Sequence, residues 1–318
     1  MNTAYKEAKK LHDELKKDEN NVEAMLKLTE FMASYGDEDK IVWMSDLDAQ
    51  IKELENEKRY YTGIKKLDDL IDGFRSNQLI AVSAPSKAGK TQFCVHIARN
   101  FPNPTMFLFE ETAAEVAYKY HKKGLELPRI LTLQDFKESS VDYLYRKMIE
   151  SWAKYDSRIF FIDHLHYLIP DEGTEHITYK IRKVVQELKM FAKRHNFTIF
   201  LVAHISHQSF DQPPGIEDIR DSSFIVQYAD TTLMLWRETF QPGVKSHKKV
   251  YNYTNNLLVN VALNRKINFV KDYNTGLVGL TFNTTTWSYD ESDWYDDLIS
   301  DDSQGSDAKS KILKQLEK

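Results

Sequence analysis

The loop A-P-S-K-A-G-K-T at residues 84–91 limits the possible folds of this chain more than any other part of its sequence. It follows the phosphate-loop pattern G-x-x-x-x-G-K-[ST], with Ala84 in place of the first glycine. The apolar run at residues 79–82 predicts a strand before the loop, and residues 92–99 predict a helix after it. Because the backbone N–H groups of such a loop and helix N-terminus point at phosphate oxygens, the segment predicts a nucleotide site in an α/β fold.

Two residues of this loop are predicted to carry its chemistry. Lys90 should reach the β- and γ-phosphates of ATP as a point charge, and the Thr91 hydroxyl should bind Mg²⁺. The residues predicted to bind the nucleotide are Ala84, Pro85, Ser86, Lys87, Ala88, Gly89, Lys90, Thr91 and Gln92.

Further candidates stand at the ends of other short apolar runs. Asp163 is predicted to be the second Mg²⁺ ligand, and His204 could sense the γ-phosphate through a hydrogen bond. Either Glu110 or Glu111 could orient the attacking water. We expect all four positions to meet, because the carboxyl ends of parallel strands share one edge of a sheet and face the ligand crevice.

The alternation of β-rich runs with amphipathic helices predicts the fold class. The runs are residues 79–82, 105–109, 159–162, 198–202 and 231–235. They predict an α/β, doubly wound and mostly parallel twisted sheet. Residues 257–263 and 277–282 predict later strands, which could be antiparallel.

Residues 1–59 carry a helical pattern of a different kind, with predicted helices at residues 4–17, 22–34 and 41–59. Part of it resembles a tetratricopeptide helix pair, but a single repeat cannot bury its own apolar face. We therefore expect a small helical cap or a segment that docks on another subunit.

The composition of the chain excludes several classes of protein and of binding site. With 42% hydrophobic and 29% charged residues the chain is not wholly disordered, and Cys94, its only cysteine, excludes an intramolecular disulfide and a multi-cysteine metal site. A net charge of −5 does not suggest nucleic-acid binding, although a few basic loops lining a channel remain compatible with it. Since no run is long enough for a membrane span, we expect a cytoplasmic protein with no membrane partner.

The C-terminal part is acidic. Residues 288–307 contain eight acidic residues and no Lys or Arg, so residues 291–318 are predicted to be a disordered tail. Such a tail could keep the protein in solution, or it could dock on a basic partner with an apolar groove.

Taken in order, these motifs resemble the RecA-like motor of DnaB-type replicative helicases, and also the helicase half of phage and mitochondrial primase-helicases. The resemblance spans residues 60–290 and begins with T-G-I-K-K-L-D at residues 62–68. E-T-A-A-E at residues 111–115 resembles a family motif that selects Glu111 as the catalytic base. I-D-H-L at residues 162–165 is similar to the family's Walker B segment.

Two downstream motifs extend the resemblance. D-I-R-D-S-S at residues 218–223 resembles a loop that grips the DNA backbone in the family, which implies DNA contacts by Arg220, Asp221, Ser222 and Ser223. An ordinary surface ion pair is the alternative role for Arg220.

L-N-R at residues 263–265 falls where the family carries K-x-R, which implies that Arg265 is an arginine finger for the neighbouring subunit. The family lysine is absent, with Leu263 in its place, and Asn77 stands where the family usually has a second glycine.

The resemblance implies an ATP- and Mg²⁺-dependent helicase of a bacterial or phage-infected cell, which translocates along single-stranded DNA as a homo-oligomeric, hexameric ring. Two alternatives stay open. One is a RecA-fold repair, recombination or regulatory ATPase that does not unwind DNA. The other is a nucleotide-gated assembly or recruitment factor, which the missing family lysine favours.

Overall fold

The computed structural model describes residues 3–17, 27, 43–136, 138, 140–169, 177–204, 222–240, 252–266 and 276–295. Its α-helices are α1 (Thr3–Lys17), α2 (Asp48–Glu55), α3 (Lys65–Ile71), α4 (Lys90–Ala98), α5 (Ala113–Lys122), α6 (Val141–Tyr155), α7 (Ile177–His195) and α8 (Ser222–Tyr228). Short 3₁₀ helices cover Met44–Asp46 and Leu165–Leu168. Within these ranges no helix combines the length and apolar character that a membrane crossing requires.

The strands are β1 (Arg59–Tyr60), β2 (Phe74–Arg75), β3 (Leu79–Ala84), β4 (Thr105–Leu108), β5 (Leu131–Thr132), β6 (Ile159–Asp163), β7 (Thr198–His204), β8 (Thr231–Phe240), β9 (Asn252–Asn264), β10 (Leu277–Asn283) and β11 (Ser288–Glu291). Nine of them form one sheet in the order β11-β10-β9-β8-β3-β7-β6-β4-β5. From β8 to β5 the neighbours are parallel, whereas β8 to β11 pair antiparallel. The prediction of a mostly parallel sheet with later antiparallel strands is confirmed.

The central strand β3 packs on both faces because its side chains alternate. Leu79 and Ala81 join the apolar cluster that α6 and α7 cover, whereas Ile80 and Val82 join the cluster that α4 covers. All six residues of β3 are buried. A strand buried on both faces requires a continuous apolar run, which is why residues 79–82 could be recognised as a strand.

The predicted entry motif has a structural role. Asp68 accepts hydrogen bonds from the N–H of Thr62 at 2.7 Å, from the N–H of Gly63 at 3.0 Å and from the Thr62 hydroxyl at 2.8 Å. Gly63 has a φ of 82°, and a Cβ there would lie 2.7 Å from the Asn100 amide nitrogen. Asn77 has a φ of 53°. Asparagine tolerates this left-handed conformation, so it can replace the glycine that the family usually carries there.

The N-terminal helices are only partly as predicted. Helix α1 confirms the prediction for residues 4–17, and the predicted helix at 22–34 lies outside the described residues apart from Lys27. The single helix predicted over residues 41–59 is wrong, because a 3₁₀ turn and the short α2 replace it. The chain leaves the helix before Arg59, since Arg59–Tyr60 pairs with Phe74–Arg75 and Tyr60 becomes buried against Phe101.

The start of the predicted acidic tail also needs correction, because residues 288–295 belong to the fold. Strand β11 pairs with β10, and Tyr289 is 9% exposed. Trp294 packs near Trp236, with ring centroids 6.1 Å apart, and the Tyr295 hydroxyl donates to the Leu277 carbonyl at 3.2 Å. Burial of these aromatic rings outweighs the acidic composition of the segment. Residues 296–318 lie outside the described part of the chain.

Candidate nucleotide site

Four adjacent parallel strands, β3, β7, β6 and β4, end at the same edge of the sheet and bring the predicted site residues together. Ala84 at the end of β3 is in register with His204 at the end of β7. Asp163 ends β6 opposite Leu108 of β4, two residues before Glu110. The expected convergence at the carboxyl edge is therefore present in the structure.

Lys90 is the first residue of α4 and is 6% exposed. Its ammonium donates to the carbonyl oxygens of Ala84 at 3.4 Å and Pro85 at 3.2 Å, and lies 3.2 Å from Nδ1 of His204. Burial lowers the pKa of Lys90, and the charge of Asp163 opposes that effect. A buried ammonium held by loop carbonyls is suited to take a phosphate oxygen in their place.

The loop geometry explains the residue types at its two ends. Ala84 is an ordinary extended residue of β3, so a Cβ is tolerated where the motif usually has its first glycine. Gly89, which caps α4, has a φ of 88°, and a Cβ there would lie 3.0 Å from the hydroxyl of Tyr289. The Tyr253 hydroxyl donates to the carbonyl of Ser86 at 3.1 Å, so strand β9 supports the loop.

Asp163 and Thr91 meet beside Lys90. The Thr91 hydroxyl donates to Oδ2 of Asp163, and Oδ1 of Asp163 is buried with no hydrogen bond from any described residue. Burial raises the pKa of Asp163 to about 6, against the opposing effects of Thr91 and Lys90. A carboxylate oxygen without a partner beside a hydroxyl is a donor set that suits Mg²⁺, so these residues fit the predicted metal.

The cavity at this edge has a volume of about 330 Å³. Its lining comprises Ser86, Lys87, Gly89, Lys90, Thr91, Gln92, Val95, Glu110, Glu111, Val116, Lys119, Tyr120, His204 and Trp287. A volume of this size lies in the range of small-molecule pockets, and its polar end is the phosphate loop. The pocket therefore has room for the phosphates that the loop is predicted to bind.

Sequence reasoning missed the apolar wall of this cavity. Trp287 donates from its indole nitrogen to Gln92 at 2.6 Å, and the Lys123 ammonium lies 4.8 Å from the Trp287 ring centroid. Gln92, which was predicted to bind the nucleotide, thus lines the cavity and also holds Trp287. Residues 92 and 287 are far apart in sequence, and no local signal connects them.

Both candidate glutamates line the cavity, but they are held differently. Glu111 forms an ion pair with Lys119. Oε2 of Glu110 lies 3.4 Å from Nδ1 of His164, and the charge of Glu110 acts on both Lys90 and Asp163. The last glutamate of the E-T-A-A-E motif, Glu115, forms a capping box with Thr112 and thereby starts α5. Its role in the structure is local.

A histidine cluster next to Asp163 was not predicted. His164 is 7% exposed, and its ring lies 4.2 Å from that of His204, centroid to centroid. His166 lies 5.5 Å from His164 by the same measure. Burial, with smaller effects of His204 and His166, lowers the pKa of His164 to about 3. The available signal was the H-L-H sequence immediately after Asp163.

Arg265 does not join this site. It follows Asn264, which pairs with Thr231 at the start of β8, and Thr231 in turn pairs with Ile80 near the start of β3. Arg265 therefore lies at the amino edge of the sheet, opposite its own phosphate loop. Its guanidinium donates to the carbonyls of Val226, Gln227 and Ala229 at 3.3, 3.4 and 3.1 Å.

The predicted DNA contacts are described only in part. Arg220 and Asp221 lie outside the described residues, and Ser222 and Ser223 form the first turn of α8, with side chains that are not described. After this helix, Asp230 accepts from the Leu79 N–H at 2.8 Å and forms an ion pair with Lys189. Asp230 thus has a structural role between α7, β3 and β8.

Comparisons with known proteins agree with this geometry. Residues 115–291 match the family model of the DnaB-like helicase C terminal domain. The replicative DNA helicase DnaB of Rickettsia prowazekii is 22% identical over 223 residues, which cover 56% of this chain and 46% of that protein. The chain thus spans about half the length of that curated relative.

Two solved structures share the fold. A DnaB-like replicative helicase, studied with its primase interactions, superposes with a TM-score of 0.61 at 20% identity, covering 90% of this chain and 75% of that one. A second solved structure, an isolated ATPase domain, superposes with a TM-score of 0.60 at 18% identity, covering 79% of this chain and 99% of that one.

Proposed function

This chain belongs to the DnaB-like helicase C-terminal domain family, and from that premise we propose that it is an ATP-driven DNA helicase motor that moves along single-stranded DNA as a hexameric ring. The observation that carries the proposal is the meeting of Lys90, Thr91, Asp163 and His204 at one sheet edge, beside a cavity of about 330 Å³. The two glutamates that could orient water line the same cavity.

The roles of the chain's own residues follow from their contacts. Lys90 would exchange its two loop carbonyls for phosphate oxygens, and the Thr91 hydroxyl and the Asp163 carboxylate would hold Mg²⁺. Bound Mg²⁺·ATP supplies the phosphoryl group to be transferred and a charge that Mg²⁺ helps to neutralise. Glu111 leaves Lys119 and takes the proton of the attacking water on its carboxylate.

His204 connects the two halves of the site, since its Nδ1 lies 3.2 Å from Lys90 at the end of β7. After β7 the chain leads towards residues 218–223, which we propose as the DNA loop. Loss of the γ-phosphate would change the partner of Lys90, and His204 would pass that change on to residues 218–223. DNA contacts by Arg220, Asp221, Ser222 and Ser223 would be made with phosphates, so the affinity for DNA should fall steeply with salt.

Arg265 supports the ring, because its position at the opposite sheet edge excludes action on its own site. An arginine there can reach a phosphate only on a neighbouring subunit. The N-terminal segment supports the ring as well, since Trp43, Met44, Ile51 and Leu54 are 80%, 84%, 49% and 58% exposed. We propose that this apolar face docks on an adjacent subunit. We also propose that the C-terminal segment, residues 296–318, recruits a replication partner.

The proposal is tested by measuring ATP hydrolysis with and without single-stranded DNA, together with light scattering for mass and unwinding of a forked duplex. We expect DNA-stimulated hydrolysis, a hexameric mass and strand separation, all of which Lys90→Ala should abolish or weaken. Hydrolysis without unwinding would favour a RecA-fold ATPase of another kind. Near-zero turnover at saturating DNA would favour a nucleotide-gated assembly factor.

A further inference from the structure

Beside the proposed phosphate site, three side chains from neighbouring strand ends form a second cluster, Glu110, His164 and His204. One donor atom from each of them lies within 4.8 Å of the other two. Nδ1 of His164 lies 3.4 Å from Oε2 of Glu110, and the two imidazole rings meet edge to face at 84°. The cluster uses none of the side-chain atoms of Thr91 or Asp163.

His164 is the buried member of this cluster. It is 7% exposed, and its Nδ1 is buried with no hydrogen-bond partner among the residues that the structure describes. Leaving such a nitrogen unsatisfied costs free energy, so buried polar atoms of this kind are uncommon without a role. The nitrogen faces the carboxylate of Glu110, at the centre of the cluster.

We propose that Glu110, His164 and His204 bind a transition-metal cation of the zinc class, and that its binding stops ATP hydrolysis. Two imidazoles and one carboxylate are donors that Zn²⁺ and its neighbours in the first transition row accept readily. Mg²⁺ instead prefers oxygen ligands, which Thr91 and Asp163 supply. The two sites therefore differ in the cation that each would select.

The distances fit such a cation after a small movement. Zinc lies about 2.0–2.1 Å from its ligands, which places the ligand atoms of a tetrahedral site about 3.4 Å apart. The pair formed by His164 and Glu110 already has this separation. The other separations, which are within 4.8 Å, must shorten to the same value where they exceed it. The Glu110 side chain is 49% exposed and can rotate to do so.

The effect on hydrolysis rests on the proposed function and follows from the position of His204. Its Nδ1 lies 3.2 Å from the Lys90 ammonium, so a cation bound to His204 adds positive charge beside the residue that must hold the phosphates. The same cation occupies the donor atoms of Glu110 and His204, so neither side chain can interact with the nucleotide or the attacking water. Hydrolysis should therefore stop while Mg²⁺ remains in excess.

The binding test uses the full chain without nucleotide. Co²⁺ serves as the probe, because tetrahedral coordination gives it strong visible absorption, and Zn²⁺ binding is followed by calorimetry. We expect one site per chain, with an affinity that falls at least tenfold in His164→Asn and in Glu110→Gln. The matched control is His121→Ala, which removes an exposed histidine of α5 and should bind like wild type. Glu110→Gln changes a half-exposed residue, so a folding defect of His164→Asn does not decide the result.

Equal affinity in wild type and Glu110→Gln, or no tetrahedral Co²⁺ spectrum, would overturn the metal site. The second measurement is ATPase rate at saturating Mg²⁺ with added Zn²⁺, which should fall at least tenfold in wild type and in His121→Ala. Metal binding without any ATPase activity would refute the proposed function and leave the site in place. ATPase activity that Zn²⁺ does not inhibit, with no metal bound, would refute the site and leave the function in place.

Discussion

Asp163→Asn should stabilise the nucleotide-free protein at neutral pH although it removes a residue proposed for catalysis. The carboxylate is 2% exposed, and burial raises its pKa from 3.8 to about 6. The folded protein therefore binds a proton on the Asp163 carboxylate more tightly than the unfolded chain does. The stability from Asp163 is fully present below pH 3.8 and is lost as the pH rises through about 6.

The magnitude follows from the two pKa values. They differ by about 2.2, the difference between about 6 and 3.8, and each pH unit corresponds to about 1.4 kcal/mol. At neutral pH the ionised carboxylate should thus lower the free energy of unfolding by about 3 kcal/mol, whereas asparagine carries no such cost at any pH. Near pH 4 the two proteins should differ by only about 0.5 kcal/mol.

Urea unfolding of wild type and Asp163→Asn near pH 4 and near pH 7.5, without nucleotide, measures this difference. The surface variant Glu126→Gln is the control and should show no comparable pH dependence. Addition of Mg²⁺ with a non-hydrolysable ATP analogue should reverse the order of stability at pH 7.5, because the Asp163 carboxylate would bind the metal and the asparagine amide would not. An advantage of asparagine that is the same at both pH values would refute the reasoning.

Three further predictions concern other residues. Glu111→Gln should keep nucleotide binding but lower the steady-state ATPase rate by about 10²–10⁴, more than Glu110→Gln does; the opposite ranking would assign the base to Glu110. Arg265→Ala should keep nucleotide binding and lose about 10³-fold or more in hydrolysis, with recovery in a mixing series with wild type, and wild-type rates from the pure variant would contradict the finger. Asp230→Ala leaves the mostly buried ammonium of Lys189 without its carboxylate partner, so urea unfolding should show a loss of about 3–5 kcal/mol; an unchanged midpoint would show that the pair contributes little.

The phosphate end of the site could be predicted from sequence because its residues obey local rules. Lys90 and Thr91 belong to one contiguous motif, and Asp163 and His204 each end a run that is apolar enough to be a buried parallel strand. Parallel strands that share a sheet place such ends at a common edge, so the convergence needs no knowledge of the strand order.

The rest depends on pairing between distant segments. Trp287 lines the cavity only because β10 and β11 extend the sheet beyond β9 and bring residue 287 to α4. The same pairing places residues 291–295, the start of the predicted tail, in the fold, and pairing of β1 with β2 ends the helix predicted at residues 41–59 early. His164 was overlooked because its burial follows from its neighbours on β7 and not from its own sequence context.

The hydrogen bonds of Arg265 connect the proposed arginine finger to α8, the helix that begins with two proposed DNA-contact residues. The guanidinium donates to the carbonyls of Val226 and Gln227 in the last turn of this seven-residue helix, and Ser222 and Ser223 lie in its first turn. If Arg265 reaches a neighbouring subunit as proposed, it must release those carbonyls, and the C-terminal end of the helix would then be less firmly held while its N-terminal end carries two of the proposed DNA contacts. ATP hydrolysis in one subunit would thus coincide with weaker DNA contacts in the neighbouring subunit that supplies Arg265. Subunits that move along DNA in turn need such a coupling between hydrolysis and release.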